Sequence, residues 1–263
     1  MNGEITTFAT SNKYFYSMKN EVLQKYPTIS LDEMKDVRLL NRIDTKYVTT
    51  TERLERFLQL AQGDYYVQVI DGECQLPYHT IYLDTPDLGM YMAHHDGRQH
   101  RYKVRMRRYE VSGLSFMEVK DKTNRGRTKK SRIEIDNLIY KGKMRDFVDN
   151  EVPYAADSLS PTIENRFRRI TLVNKQKTER LTIDMDLQFH NLLNDNHREL
   201  KNNVVIELKR DGNVFSPATN MLRDLHIHPC GFSKMAMGMA LTMPTLKQNN
   251  FKERIHYIEK LKG

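Results

Sequence analysis

"RYKVRMRRYE", residues 101–110, carries five positive charges in ten residues, yet Val104 and Met106 sit among them. A disordered basic tail has no use for those apolar residues. A strand buried on both faces would not tolerate the arginines without partners. Alternation resolves the conflict. Successive side chains of a strand point to opposite sides. Arg101, Lys103, Arg105 and Arg107 therefore share one face, and Tyr102, Val104 and Met106 take the other. Arg108 falls on the apolar parity and should lie at a strand end or reach solvent.

The same pattern recurs on both sides of this segment. Strands are expected at "YVQVI", "HTIYLDT", "SFMEVKD", "KSRIEID", "NRFRRITLV", "RLTIDMDLQF" and "NVVIELKR", between about Val67 and Arg210. The turn-rich links "TPDLG", "VSGL", "KTNRGRT" and "NKQKTE" are short, which favours antiparallel pairing. Glu118 and Lys120 oppose Met117 and Val119. Lys130, Arg132 and Glu134 oppose Ile133 and Ile135. Arg180, Thr182, Asp184 and Asp186 oppose Leu181, Ile183, Met185 and Leu187, and Glu207 and Lys209 oppose Ile206 and Leu208. Upstream, "NRIDTKYVTT" alternates too, with Arg42, Asp44 and Lys46 on one face. Only "NRFRRITLV" is untidy: Arg166 and Arg168 share one parity and Arg169 has the other.

The ends of the chain read as helical. Ser30 and Glu33 form a capping box before Met34, Val37 and Leu40 at helical spacing. A second helix is expected at "TTERLERFLQLAQ", opened by Thr49 with Glu52 and striped by Leu54, Phe57, Leu58 and Ala61. Ser216 and Pro217 open a third. Met235, Met237 and Met239 mark a fourth, most simply a packing helix. In the tail, Phe251, Ile255 and Ile258 define one apolar face. The expected organisation is one domain over 1–263, with an N-terminal helical segment at 1–40 and a C-terminal helix at 245–263.

Composition bounds the partners. The 263 residues carry a net charge of +8 and 39% hydrophobic content, which suits a soluble globular protein. No apolar run approaches the ~18 residues of a membrane span. Cys74 and Cys230 are the only cysteines, read as reduced thiols of a cytoplasmic protein. The basic surplus calls for an anion: nucleic acid, anionic lipid or phosphorylated molecules. RNA binding is disfavoured because Tyr102 lies on the parity opposite Arg105, although Tyr109 shares it.

Two architectures fit. One is an open sheet with a dry face and a wet face. The other closes the sheet into a barrel with the basic face inward and the apolar face jacketed by the terminal helices. Such a lumen needs an anion, water and its few acids for compensation. A chain of phosphates supplies charge density and acceptor oxygens for arginine forks and lysine ammonium groups.

The residues "RIDTKY", "VRMRRYE", "FMEVKDK", "TKKSRIE", "FRRITL", "RLTID", "VIELK" and "GFSK" follow one another in an order that resembles VTC domains. These are the polyphosphate polymerase branch of the triphosphate tunnel metalloenzymes, and the likeness spans about Asn41 to Leu241. The resemblance implies an α+β fold, with an eight-stranded antiparallel β-tunnel closed as a barrel, a basic lumen and flanking helices. It implies transfer of phosphoryl groups from ATP onto polyphosphate with Mn2+ or Mg2+, and phosphate or pyrophosphate as further ligands. The implied catalytic groups are Lys46, Arg105, Arg107, Arg169 and Arg180. Lys120, Lys130 and Lys234 match phosphate ligands, and the shared faces add Lys103 and Arg132. Glu207 matches the metal carboxylate, with Glu118 or Asp184 as helpers. The related hydrolases and cyclases usually carry ExExK where this chain has Arg42, Asp44 and Lys46, which fits the polymerase branch better. Gly231 stands where some members carry a second lysine.

Three alternatives remain open: hydrolysis of triphosphate or polyphosphate at the same site, a binding module without turnover, and a nucleic-acid binder. A membrane-protein partner could carry product away. His94, His95 and His100 read as a solvated loop, as do His226 and His228. "TNRGRTKK" reads equally as a basic hairpin tip or a plain solvated turn.

Overall fold

The computed structural model describes residues 21–37, 39, 42–124, 128–212 and 214–261. Its strands are β1 (Thr28–Ile29), β2 (Arg42–Thr50), β3 (Tyr65–Gln68), β4 (Leu76–Asp84), β5 (Arg101–Tyr109), β6 (Ser115–Lys122), β7 (Thr128–Ile135), β8 (Ser160–Asn174), β9 (Glu179–Asn191), β10 (His197–Leu200) and β11 (Asn203–Asp211). They form one eleven-stranded sheet whose main path runs β2-β11-β9-β8-β4-β5-β6-β7. Every ladder on that path is antiparallel. The short β1 pairs in parallel with β3, which in turn joins β8.

The main path has the expected eight strands, but its ends do not join. No ladder connects β2 to β7 among the described residues, so the expected closed barrel gives way to a curled sheet with an open seam. The two end strands still face one cavity, because Asp44 and Lys46 of β2 line it together with Lys130 and Arg132 of β7. Like charge acts across that seam: burial and then the Arg42 guanidinium depress the pKa of Lys130. Facing cations oppose the close approach that a ladder requires.

Alternation places the apolar faces correctly, and helices expected toward the chain ends cover them together with a helix between strands that the sequence pattern does not mark. Val104, Met106, Met117 and Val119 pack with Met144 and Val148 of a helix at Lys143–Glu151. Ile170, Leu172, Leu181, Ile183, Ile206 and Leu208 pack with Leu54, Phe57 and Leu58 of helix Thr51–Ala61 and with Leu222 of helix Pro217–Asp224. Of these helices, Thr51–Ala61 and Lys143–Glu151 lie between strands, and Pro217–Asp224 follows the last strand. The cap of helix Thr51–Ala61 is Thr50, whose hydroxyl accepts from Arg53 N at 3.3 Å, one residue after the expected Thr49. Ser216 caps its helix as expected, accepting from Thr219 N at 3.2 Å. A helix at Gly89–His95 occupies the expected histidine loop: His95 is buried and His100 pairs with Asp121 at 3.0 Å.

Helix Lys234–Thr242 is buried at Met235, Ala236, Met237, Gly238, Met239, Ala240 and Thr242. A helix apolar on all sides belongs inside. It packs on β8, β9 and β10, and Ser233 caps its N-terminus by accepting from Ala236 N at 3.4 Å. Gly238 is required there: a Cβ would lie 2.7 Å from the Phe189 ring and 3.0 Å from Ile163.

At the chain ends, the capping box is present, with Glu33 Oε2 accepting from Ser30 N at 2.8 Å and from Ser30 Oγ at 2.7 Å. It opens a single 3-10 turn at Glu33–Asp36 rather than a full helix. Residues 1–20, 38 and 40 of the expected N-terminal helical segment, and 125–127 of the "TNRGRTKK" turn, lie outside the described residues. The C-terminal helix runs Lys252–Lys260 and buries Ile258, with Phe251 buried just before it. Cys74 and Cys230 are both free. Among the described residues no helix is long and apolar enough to cross a membrane.

Candidate functional site

The concave face of the sheet encloses a cavity of about 730 Å³, within the range that holds a nucleotide-sized ligand. All thirteen residues singled out from the sequence line it: Lys46, Lys103, Arg105, Arg107, Glu118, Lys120, Lys130, Arg132, Arg169, Arg180, Asp184, Glu207 and Lys234. The lining holds twelve lysines and arginines against four carboxylates. Strand parity brings most of them there, and the buried helix supplies Lys234 from its first turn.

Each carboxylate already holds a cation. Asp44 Oδ1 accepts from Arg42 Nε at 2.5 Å. Glu118 Oε2 accepts from Arg105 Nε at 2.6 Å and from its Nη2 at 2.5 Å. Asp184 takes a two-pronged contact from Arg169, at 2.6 Å from Nε and 2.8 Å from Nη2, and also accepts from Lys234 Nζ. Glu207 accepts from Lys46 Nζ on one oxygen and from Lys209 Nζ on the other. Burial would raise these acids, but the adjacent cations outweigh it and hold Glu118, Asp184 and Glu207 below the usual carboxylate range.

Of the remaining lining cations, Lys35 pairs with Asp32 at 2.7 Å, and the others have no carboxylate partner among the described residues. Arg107 is 7% exposed and donates to Thr80 Oγ1 at 3.1 Å. Burial and the neighbouring Arg105 lower its pKa. Lys103 donates to Ser233 Oγ at 2.8 Å, and burial with the Lys120 ammonium pushes it well below the ordinary lysine value. Lys120 and Lys130 are lowered by burial and by nearby cations. Burial, with Arg169 next, lowers Arg180, whose Nε is buried with no hydrogen-bond partner among the described residues.

Parity fails at one place in β9. The β8–β9 register shifts between Arg166 and Arg168, where β9 carries an extra residue. Asp186 has a left-handed φ of 53° there and pairs with Arg168, so it does not share the face of Asp184 as alternation predicts. The bulge also settles the untidy arginines. Arg169 turns inward to Asp184, while Arg166 pairs with Glu164 at 2.8 Å. Arg108 meets its expectation, reaching solvent with an ion pair to Glu110 at 3.1 Å.

Sequence reasoning missed Lys209, although its parity with Glu207 was visible. It also missed Tyr78 and Tyr82 of the lining. The Tyr78 ring lies 4.9 Å from the Arg169 guanidinium carbon and stacks at 5.2 Å on Phe167. Arg105 Nη1 donates to Tyr82 at 3.4 Å.

The donor set bears on the divalent metal implied above. No three lumen ligands converge as a protein-made cage among the described residues. Asp184 and Glu118 are engaged by guanidinium groups. Glu207 is held by lysine point charges on the cavity wall, and it fits a cation that arrives with phosphate oxygens and takes one protein carboxylate.

A family model described as the VTC domain matches residues 41–243. No curated protein matches the chain in sequence. Among solved structures, HpAC1 of Hippeastrum is named for adenylyl cyclase and described as having a dominant triphosphatase activity. It aligns with a TM-score of 0.51 at 15% identity, over 79% of this chain and 99% of that one. A Bacillus halodurans protein named for adenylate cyclase aligns at 0.45 and 14% identity, over 74% of this chain and 96% of that one. A Vibrio parahaemolyticus protein with the same kind of name aligns at 0.44 and 12%, over 76% and 99%. At 15% identity the likeness to HpAC1 concerns the fold alone.

Proposed function

The chain belongs to the VTC domain family, and from that membership and its cationic cavity we propose that it transfers phosphoryl groups from ATP onto inorganic polyphosphate. One observation carries the reading: twelve cations face four carboxylates, and all four are already paired. The surplus requires a polyanion with many acceptor oxygens, and a run of phosphates supplies it.

Phosphoryl transfer needs positioning and charge neutralisation more than covalent help. Arg105 and Arg169 are held rigid by Glu118 and Asp184, so their free N–H groups are aimed before ligand arrives. Arg107 and Arg180 hold spare donor capacity and would take the oxygens of the transferring group. Lys46, Lys103, Lys120, Lys130, Arg132 and Lys234 would hold flanking phosphates and keep donor and acceptor in line. Glu207 would hold Mn2+ or Mg2+, which supplies neutralisation of phosphate charge when bound. Lys209 sets the position of that carboxylate.

Incubation of the purified chain with ATP and Mn2+ tests this. The expected result is acid-insoluble polyphosphate together with ADP. Free phosphate without chain growth would move the assignment to a triphosphatase. Tight binding of tripolyphosphate with no product of either kind would leave a binding module and sink the enzyme reading.

A further inference from the structure

The segment "HNLLNDNH", residues 190–197, plays no part in the cavity. It joins β9 to β10, and the register sets His190 directly opposite His197. The bulge at Asp186 prepares this placement. Beyond it the parity of β9 is reversed, so Leu187 and Phe189 pack in the core and His190 takes the opposite face.

The two imidazole rings are nearly parallel, 12° apart in plane and 4.1 Å between centroids. Both Nε2 atoms face one carboxylate oxygen: Asp195 Oδ1 lies 2.7 Å from His190 Nε2 and 3.7 Å from His197 Nε2. One donor atom from each of the three residues lies within 4.8 Å of the others. Ligands of a tetrahedral zinc ion at ~2.0–2.1 Å stand about 3.3 Å apart, a spacing bracketed by the 2.7 and 3.7 Å separations of Asp195 Oδ1 from the two imidazoles.

The surroundings support a held cation. On the Nδ1 side of His190, Glu164 Oε2 lies 3.8 Å away. Metal-bound imidazoles are typically backed by a hydrogen-bonded carboxylate, and Glu164 is the carboxylate placed on that side of the ring. Glu164 is itself fixed, accepting from Arg166 Nε at 2.8 Å. The loop is anchored as well. Asn194 Nδ2 and Asn196 Nδ2 both donate to the Thr242 carbonyl, at 3.1 and 2.9 Å. Asn191 Nδ2 donates to the Thr242 hydroxyl at 3.0 Å. The three ligands therefore sit on a frame tied to the end of helix Lys234–Thr242.

We propose that His190, Asp195 and His197 form a surface site for a divalent transition cation of the zinc class, separate from the phosphate cavity. Two imidazoles and one carboxylate suit zinc, and they suit magnesium or calcium poorly, since those ions take oxygen ligands. His190 lies six residues along β9 from Asp184, about 20 Å at ~3.3 Å per residue. The ion would staple the β9–β10 turn, leaving its remaining coordination to water.

Zn2+ alone, titrated into the full chain by calorimetry, tests the site, with Co2+ as a spectroscopic substitute. The expected result is one zinc equivalent at micromolar affinity and visible d–d absorption for Co2+ with nitrogen ligands. His197→Ala should weaken binding by at least the ~10–100-fold that even supporting groups contribute. The His197 side chain is 64% exposed, so its removal spares the core. Imidazole nitrogen NMR of the unaltered protein gives an independent readout, with the His190 and His197 signals shifting together on zinc addition. Zinc affinity weaker than about 1 mM, affinity unchanged in His197→Ala, or unshifted His190 and His197 signals would overturn the proposal.

Discussion

Arg105 and Arg107 stand two residues apart on one strand, and the fold supports them differently. Arg105 is paired with Glu118, whereas Arg107 is buried beside other guanidinium groups with Thr80 as its acceptor. Removing Arg107 relieves repulsion in the empty cavity. Arg107→Ala should keep or raise the melting temperature of ligand-free protein while turnover falls by about 10²-fold or more. Arg105→Ala should lose turnover too, but it strands the Glu118 carboxylate and should cost up to ~3–5 kcal/mol of stability. Arg108→Ala should change stability by no more than about 0.5 kcal/mol and leave turnover unchanged. Melting curves and rates on the three variants check the set, and a large loss of stability in Arg107→Ala would refute the electrostatic account. Asp184 gives a pH test. It is 3% exposed, and Arg169 and Lys234 overcome burial to hold its pKa below the usual value. Its contribution is present above the unfolded carboxylate pKa of about 3.9 and is lost as pH falls through the lower folded value. Asp184→Asn should cost ~3–5 kcal/mol at neutral pH by leaving two buried cations unpaired, and the loss should shrink in acid.

At the scale of elements, alternation in Arg101–Tyr109 was enough to sort its faces, and the same parity brought Lys120, Lys130, Arg132, Arg180 and Glu207 to one cavity. The failures have physical causes. A bulge is a local addition to one strand that period-2 reading does not register, so Asp186 was placed with Asp184. Helices Gly89–His95 and Lys143–Glu151 span 7 and 9 residues, too few turns for a clear stripe. Closure depends on strand tilt and stagger, which alternation does not encode. The facing of His190 and His197 depends on hairpin register, set by a five-residue link between β9 and β10. Helix Lys234–Thr242 provides the element-scale test. Gly238→Ala would press a methyl onto Phe189 and Ile163. Overpacking of this kind costs ~1–3 kcal/mol, and it should also displace Lys234 at the head of the same helix. Gly238→Ala should therefore lower the melting temperature and weaken tripolyphosphate binding together. Adding Phe189→Leu should recover part of both. Recovery of stability without recovery of binding would show that the helix does not set the position of Lys234.

On the scale of the whole molecule, the cavity lining alone accounts for the net charge of +8, since its twelve cations exceed its four carboxylates by eight. Burial opposes that concentration of charge by depressing lysine pKa values. Burial, opposed by Glu207, brings Lys209 down to about 8. Burial and the Lys120 ammonium bring Lys103 well below its usual value. A lysine depressed in this way is neutral above its lowered pKa and charged below it. A bound polyphosphate favours the charged form and draws the pKa back up. Binding should therefore take up protons, most strongly between about 8 and the ordinary lysine value of ~10.4. Affinity should fall as pH rises through about 8. Calorimetry of tripolyphosphate binding in two buffers of different ionisation enthalpy measures the uptake, and a pH series from 7 to 9 measures the slope. Ligand at ~100 times its dissociation constant should add about 2.7 kcal/mol of stability, and salt should reduce that gain by screening. Proton release on binding, or affinity that climbs between pH 7 and 9, would mean that phosphate binding does not recharge these lysines.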